Sequence, residues 1–342
     1  MNNLLIYTIL AFVVFINLTS SIQSPYEQVR RTDCKECHGD IMAGEYVHPV
    51  AVDGCSLCHA STGEEHPNTD VTGFKLIADY PQICYGCHDD KNNKDNVHYP
   101  VQDGLCSTCH SPHSSSNASL ILDDFSENSC TDCHVMDMEG KKSVHDPAGS
   151  ASCTNCHDPH QSDYPRMIRK SVNDLCLDCH NKSVKSDGRE IQNIKATLDQ
   201  NNTIHDPIAN GDCIICHLPH DSDFPRLLIS EYPIRQFSEA KVENFELCFL
   251  CHDSEMITAD STEYATNFRN GIQNLHYFHI NGSKGRNCNL CHNAHGAPNK
   301  HLIEETVRYG QWDMPMNAEF NENGGSCATG CHRKLEYSRV IN

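Results

Sequence analysis

Twenty-two cysteines fall into eleven pairs along the chain, and a histidine directly follows the second cysteine of every pair. Ten pairs have the form Cys-x-x-Cys-His. They are Cys34, Cys37 and His38; Cys55, Cys58 and His59; Cys84, Cys87 and His88; Cys106, Cys109 and His110; Cys130, Cys133 and His134; Cys153, Cys156 and His157; Cys176, Cys179 and His180; Cys213, Cys216 and His217; Cys248, Cys251 and His252; and Cys288, Cys291 and His292. The eleventh, Cys327, Cys331 and His332, carries one extra residue between its cysteines. At about 100° per residue, positions i, i+3 and i+4 share one face of a helical turn. Two thiols on that face can bond the two vinyl groups of one haem while the adjacent imidazole reaches the iron, which is why this spacing marks c-type haem attachment. The extra residue of the eleventh motif rotates its second thiol from about 300° to about 400°, still on the same side. Disulfide frameworks and zinc knuckles also use Cys-x-x-Cys. Neither needs a histidine at the next position, and with 23 histidines in 342 residues, eleven such placements are not coincidence.

An iron held by one motif histidine has a second axial position, and twelve histidines lie outside the motifs: His48, His66, His98, His113, His145, His160, His205, His220, His276, His279, His295 and His301. Eleven irons need eleven such ligands, so supply exceeds demand by one. Several of these histidines have a neighbouring proline, which fixes the local backbone and can preorganise the ring. Methionine is the usual rival and raises the potential. The eight methionines, Met314 and Met316 included, follow no repeat and read as packing or loop residues. No Cys-x-x-Cys-Lys variant, the form that holds the catalytic haem of several nitrite-reducing enzymes, is present.

These histidines recur in a unit of two motifs. A first motif is followed by a histidine with proline one or two residues on, then a second motif, then Pro-His and a short apolar step. Residues 130–175 are the clearest copy, with His145-Asp-Pro147, Asp158-Pro159-His160 and Arg166-Met167-Ile168. Residues 84–129 and 176–247 match closely; 34–83 and 248–326 are looser, and 327–342 form a lone terminal half-unit. The arrangement resembles the doubled CXXCH family of multihaem c-type cytochromes across residues 34–332. The resemblance implies bis-histidine iron, closely stacked haems and electron transfer. The odd eleventh motif, the loose first unit and the inserts at 181–203 and 253–275 depart from the regular pattern.

The elements that must position these groups are short. Hydrophobic residues make up 38% of the chain, cysteines included, with one Trp and eleven Phe, which is thin for an aliphatic core. From Cys34 onward there are about 28 residues per motif, too few to wrap each haem separately. The expected fold is therefore that of a multihaem cytochrome c: mostly short helices and irregular loops packed around a chain of stacked haems, with little or no β-sheet. Residues 191–198 and 237–250 are the candidates for longer helices. Covalent attachment and coordination supply the stability that side chains cannot, so the chain without haem is expected to be unfolded.

Residues 4–16 form an uninterrupted apolar run, with Thr19 and Ser21 at the −3 and −1 positions of a cleavage site. Residues 1–21 thus read as an export signal or, at the alternative, a retained anchor, although no Lys or Arg precedes the run. The mature chain is expected in the periplasm, at the outer membrane or outside the cell, where thioether attachment takes place. A net charge of −20 excludes nucleic acid, whose phosphates require a basic surface. That charge and bis-histidine ligation both favour ferric iron, so the expected function is a low-potential conduit. It would link a quinol-side donor to an outer-membrane or extracellular acceptor as a shuttle, a porin-threaded component or a filament subunit. The alternative is an oxidoreductase reducing a small nitrogen or sulfur oxyanion at one five-coordinate haem. For that role Arg308, Tyr309 and Arg333 stand near the last motif, although they read first as propionate partners or surface residues.

Overall fold

A computed structural model describes residues 33–67, 73–122, 130–186, 188–282 and 284–341. The apolar run of residues 4–16 and its cleavage site lie outside them. Among the described residues no helix is long and apolar enough to cross a membrane. Two compact units form, one from the described residues of Met1–Ile83 with Ser107–Asp123, the other from those of Cys84–Cys106 with Asp124–Asn342.

Short elements and loops make up both units, as the sparse hydrophobic content requires. The longest described helix, Ile194–Gln200, has seven residues. First motifs of the repeat sit on α-turns such as Lys35–His38, Cys130–Cys133 and Val172–Leu177. Second motifs sit on 3-10 turns such as Cys55–Leu57, Cys153–Asn155, Cys213–Ile215 and Cys288–Leu290. In both kinds the histidine N–H closes the turn on the carbonyl of the first cysteine, for example His38 to Cys34 at 2.8 Å and His292 to Cys288 at 3.0 Å.

Two-residue antiparallel ladders join the repeats. In the first unit Tyr46–Val47 pairs with Ser114–Ser115. In the second, Asn96–Val97 pairs with Gln161–Ser162, Ser143–Val144 with Asp221–Ser222, and Thr203–Ile204 with Gly296–Ala297. The strand before one repeat's second motif thus meets the strand after the Pro-His of the next repeat. A buried serine ends three of these ladders. Ser115, Ser162 and Ser222 donate to the carbonyls of Ile121, Ile168 and Leu228 and accept from the amides of Asn117, Tyr164 and Phe224. Ala297, fully buried, takes this place in the fifth repeat. Ser222→Ala is therefore expected to keep the fold and lower its stability by about 1–2 kcal/mol, the cost of one unsatisfied buried carbonyl; thermal unfolding of the holoprotein measures it.

Two expected helices are reshaped by tertiary contacts. Residues 237–250 are not one helix. Phe237 bridges to Arg286 and Ser238 N–H donates to Gly285 O at 3.2 Å, which draws this stretch out as strand, and helical turns begin only at Val242–Phe245 and Glu246–Phe249. Ile191 ends a hairpin strand, Arg189–Ile191 against Val184–Ser186, and the helix follows from Asn193, whose side chain caps Ala196 N–H at 2.8 Å.

Side-chain cores form only late in the chain. Among the described residues every buried hydrophobic one lies between Leu228 and Met316. One cluster holds Leu228, Tyr232, Phe245, Ile257 and Ile280; another holds Leu290, Val307, Met314 and Met316. The end of the fifth repeat and the terminal half-unit together bring more sheet than their motifs suggest: the hairpin Thr306–Tyr309 with Trp312–Pro315, and a three-stranded sheet of Ala318–Asn321, Gly324–Cys327 and Leu335–Ser338.

Candidate haem sites

The local backbone explains how each non-motif histidine is aimed. His48, His98, His145 and His205 have extended φ/ψ and precede helices that carry proline in their first two positions. Proline suits the first turn because its φ is fixed near the helical value and its missing N–H would have no partner there, so the helix starts directly after each histidine. The ring Nδ1 of His48 lies 2.9 Å from Pro112 O, and His98 and His145 repeat this with Pro159 O and Pro219 O, also at 2.9 Å. A carbonyl can only accept, so Nδ1 carries the proton and Nε2 keeps its lone pair for a metal.

Second-motif histidines are held by another device. The residue nine positions on adopts a left-handed backbone together with its successor: Ser119 and Leu120, Arg166 and Met167, Arg226 and Leu227, His301 and Leu302, with φ between 57° and 63°. This costs roughly 1–2 kcal/mol per non-glycine residue and turns a carbonyl toward the motif ring. His110, His157, His217 and His292 donate from Nδ1 to Ser119 O, Arg166 O, Arg226 O and His301 O at 3.0, 2.8, 3.1 and 2.7 Å. In these motifs, too, Nε2 is the free atom.

Eight motif histidines face one non-motif histidine each. The pairs and their ring-centroid separations are His38 with His66 at 5.8 Å, His59 with His113 at 6.1 Å, His134 with His98 at 5.9 Å and His157 with His220 at 5.9 Å. His180 faces His145 at 6.4 Å, and His217 with His295, His252 with His205 and His292 with His276 all stand at 6.2 Å. Ring planes in these pairs lie within 5° to 35° of parallel. A metal between two Nε2 atoms at about 2 Å from each sets the centroids roughly 6 Å apart, so the spacing fits one axially coordinated iron. No group of three or more His, Cys, Asp or Glu among the described residues converges as a metal site.

Burial keeps these rings neutral and ready to coordinate. It pushes His276 down to about 3 and His295 down to about 4, with His292 and His217 as the next contributors respectively. His217 and His292 are lowered by burial as well.

The ends of the array depart from the repeat, and the outliers explain the histidines that fit it loosely. His66 faces the first motif from within its own repeat, and His276 does the same for the tenth. His276 and His279 ride on one helix, Leu275–Ile280, which the fully buried Asn274 caps. Asn274 accepts from His276 N–H and Tyr277 N–H at 3.0 and 3.2 Å, while its amide donates to the carbonyls of Glu255, Met256 and Ala259 at 3.3, 3.1 and 2.8 Å. Asn274→Ala removes the cap and strands these carbonyls, so a loss of about 2–4 kcal/mol is expected; chemical denaturation of the holoprotein reads it.

His279 donates from Nδ1 to Leu275 O at 2.7 Å; burial lowers its pKa, and the nearby His332 adds to that. Among the described residues no ring opposes His332 at the separation of the eight pairs. His332 Nδ1 lies 2.7 Å from Arg333 O, and Met314 Sδ lies 3.5 Å from Cys331 Sγ. The extra residue of this motif is accommodated at Gly330, where any Cβ would collide with the Trp312 ring. His301 meets the edge of Phe320 at 5.3 Å and lends only its carbonyl to a motif ring. Of the polar residues near the last motif, Arg308 pairs with Asp313 at 2.9 Å, and Tyr309 packs edge-on against Phe237.

The pairing between repeats, the role of the left-handed turns and the Asn274 cap escape sequence reading. The doubled left-handed residues follow the second motifs of repeats two to five at a fixed interval, but Ser119, Arg166, Arg226 and His301 share no side-chain chemistry that would mark them.

A search of curated proteins finds no match. The family model for the doubled CXXCH motif matches residues 48–93, 98–139, 145–185, 205–257 and 280–309, more than half of the chain. Its second and third windows each enclose an opposed pair, His98 with His134 and His145 with His180. The motifs therefore carry covalently bound haem c, and the chain belongs to the doubled CXXCH motif family as a multihaem c-type cytochrome.

Proposed function

We propose that this protein is an exported electron conduit with eleven haems c, each iron held by two histidines. Motif histidines are the proximal ligands, and the facing residues His66, His113, His98, His220, His145, His295, His205 and His276 are the distal ones. His48 and His160 occupy repeat positions equivalent to paired residues and serve in the same role. His279 serves the terminal motif, and His301 is the surplus. The observation that carries this reading is that every opposed pair joins one motif histidine to one non-motif histidine.

Bound haem supplies a one-electron ferric/ferrous couple, and the chain tunes it. Nδ1–H donation to carbonyls makes the imidazoles better donors, and bis-histidine ligation with the −20 net charge favours the ferric state, so potentials are low. Residues 1–21 direct export, in keeping with the compartment in which thioethers form. The partners are a quinol-side donor and an acceptor at or beyond the outer membrane.

The terminal motif supports a second reading, because no described ring opposes His332 at the distance of the pairs. If its sixth position is weakly held, a small oxyanion could be reduced there. Intact mass together with electron paramagnetic resonance of the oxidised protein separates the two. Eleven haems with only low-spin iron are expected. A high-spin signal worth one haem that responds to nitrite, hydroxylamine or a sulfur oxyanion would transfer the function to the enzyme reading.

A further inference from the structure

The ring of His276 is held by a side chain, whereas His48, His98, His145 and the second-motif rings described above are held by main-chain carbonyls. Thr266 Oγ1 lies 2.8 Å from His276 Nδ1 and accepts from Phe268 N–H at 3.0 Å. A hydroxyl can donate or accept. Coordination through Nε2 uses that atom's lone pair, so Nδ1 carries the proton and Thr266 accepts it. Two residues on, the Phe268 ring meets His276 edge-on at 5.2 Å and stands 5.5 Å from His279. One short loop thus touches both histidines of the helix Leu275–Ile280.

That loop is fixed from two sides. Thr262 and Thr266 are both buried, and Thr262 Oγ1 accepts from Tyr264 N–H and Ala265 N–H at 3.2 and 2.9 Å in the same kind of turn that Thr266 makes with Phe268. Thr262 N–H donates to Ile272 O at 2.7 Å and Leu275 N–H to Phe268 O at 3.0 Å, which tie the loop to the start of the helix. On the other side the strand Leu335–Ser338 closes over it. Gly271 N–H donates to Ser338 O at 2.7 Å, Ser338 N–H to Asn270 Oδ1 at 3.1 Å and Arg269 Nη1 to Arg339 O at 3.0 Å, and the Tyr337 ring meets Phe268 edge-on at 5.2 Å. The windows of the family model stop at residue 257, resume at 280 and end at 309. Loop, helix start and clamping strand therefore all lie outside the shared repeat, and so do His276 and His279.

We infer that Thr266 is a positioning residue that acts through His276 and keeps the potential of the tenth haem low. Its hydroxyl fixes the tautomer and the plane of the ring, and the Nδ1–H bond it accepts makes the imidazole a better donor, which favours ferric iron. Phe268 braces the same ring from the side. The inference rests on the axial assignment proposed above, in which His276 and His292 share one iron.

The test compares Thr266→Val, Thr266→Ala, Thr266→Ser and Thr262→Val as holoproteins, by potentiometric titration and by electron paramagnetic resonance of the oxidised state. In Thr266→Val one haem is expected to titrate at a higher potential than in the parent, and the low-spin signal of one iron to change its g values. Thr266→Ala, which sets no added methyl group against the ring, should do the same. Thr266→Ser should keep the parent potentials, because it keeps the hydroxyl. Thr262→Val removes comparable turn bonds without touching a histidine, so it should lower the melting temperature and leave every potential in place. Parent potentials in both Thr266→Val and Thr266→Ala, a serine variant that follows valine, or the same shift in Thr262→Val would each overturn the inference. A His276→Gly holoprotein with the parent low-spin spectrum would instead refute the axial assignment beneath it.

Discussion

Produced in a reducing compartment without haem attachment, the chain is expected to show a random-coil circular dichroism spectrum and no cooperative thermal transition. Fixing a residue's backbone costs about 1–2 kcal/mol, and burial of apolar surface must offset that. Among the described residues, protein atoms bury hydrophobic side chains only between Leu228 and Met316, and no helix exceeds seven residues, whereas isolated helices shorter than about 12–15 residues are marginal in water. Large apolar side chains such as Leu57, Tyr99 and Ile215 remain exposed to half or more of their extent or close to it, at 60%, 67% and 45%. A cooperatively folded apoprotein would contradict this account, and the region 228–316 is where residual structure would first be sought.

His295→Gly is expected to have a large effect on spin state and stability. His295 faces His217, and its carbonyl accepts from His205 N–H, so one residue serves two motifs and links two repeats. Without the imidazole, one iron should become five-coordinate and high-spin. Its potential should rise on the order of 0.1 V, a modest part of the roughly 0.8 V that axial ligation spans. Added imidazole should restore the low-spin signal without restoring the coordinate link between repeats, so spin state recovers while thermal stability stays low. A resonance spectrum unchanged from the parent protein would show that His295 is not a ligand.

What the sequence disclosed is what covalent chemistry dictates. The haem-attachment reading of the Cys and His motifs follows from their spacing alone, and the count of one more non-motif histidine than motifs follows from the sequence. Which histidine faces which could not be read, because the pairing depends on ladders two residues long. Asn96–Val97 and Gln161–Ser162 have no hydrophobic period to announce them, and they meet across 65 residues of chain. Tertiary contact likewise overruled helix propensity at Phe237, which pairs with Arg286 instead of starting a helix. The terminal sheet was missed for a related reason: Gly324–Cys327, the central strand, is glycine and serine up to its last residue and offers no strand signal. His66 and His276 were legible only as misfits, and their irregular positions make sense once the ends of the array are seen to lack a neighbour that could lend a histidine.

The borrowing of histidines between repeats has a consequence for how such a chain can grow. The second motif histidine of the first, third and fourth repeats faces a ring from the repeat that follows, and the first motif histidine of the third, fourth and fifth faces one from the repeat before; on the proposed axial assignments these are the ligands of one iron each. A single repeat excised from the middle would leave both of its irons with one histidine each. Duplicating a middle repeat in register would instead satisfy every iron at once, because the new copy lends and borrows alike, while His66 and His276 go on sealing the two ends. Gene duplication can therefore lengthen this protein by two haems at a time without any new ligand having to arise, whereas shortening it to a free-standing module requires inventing two.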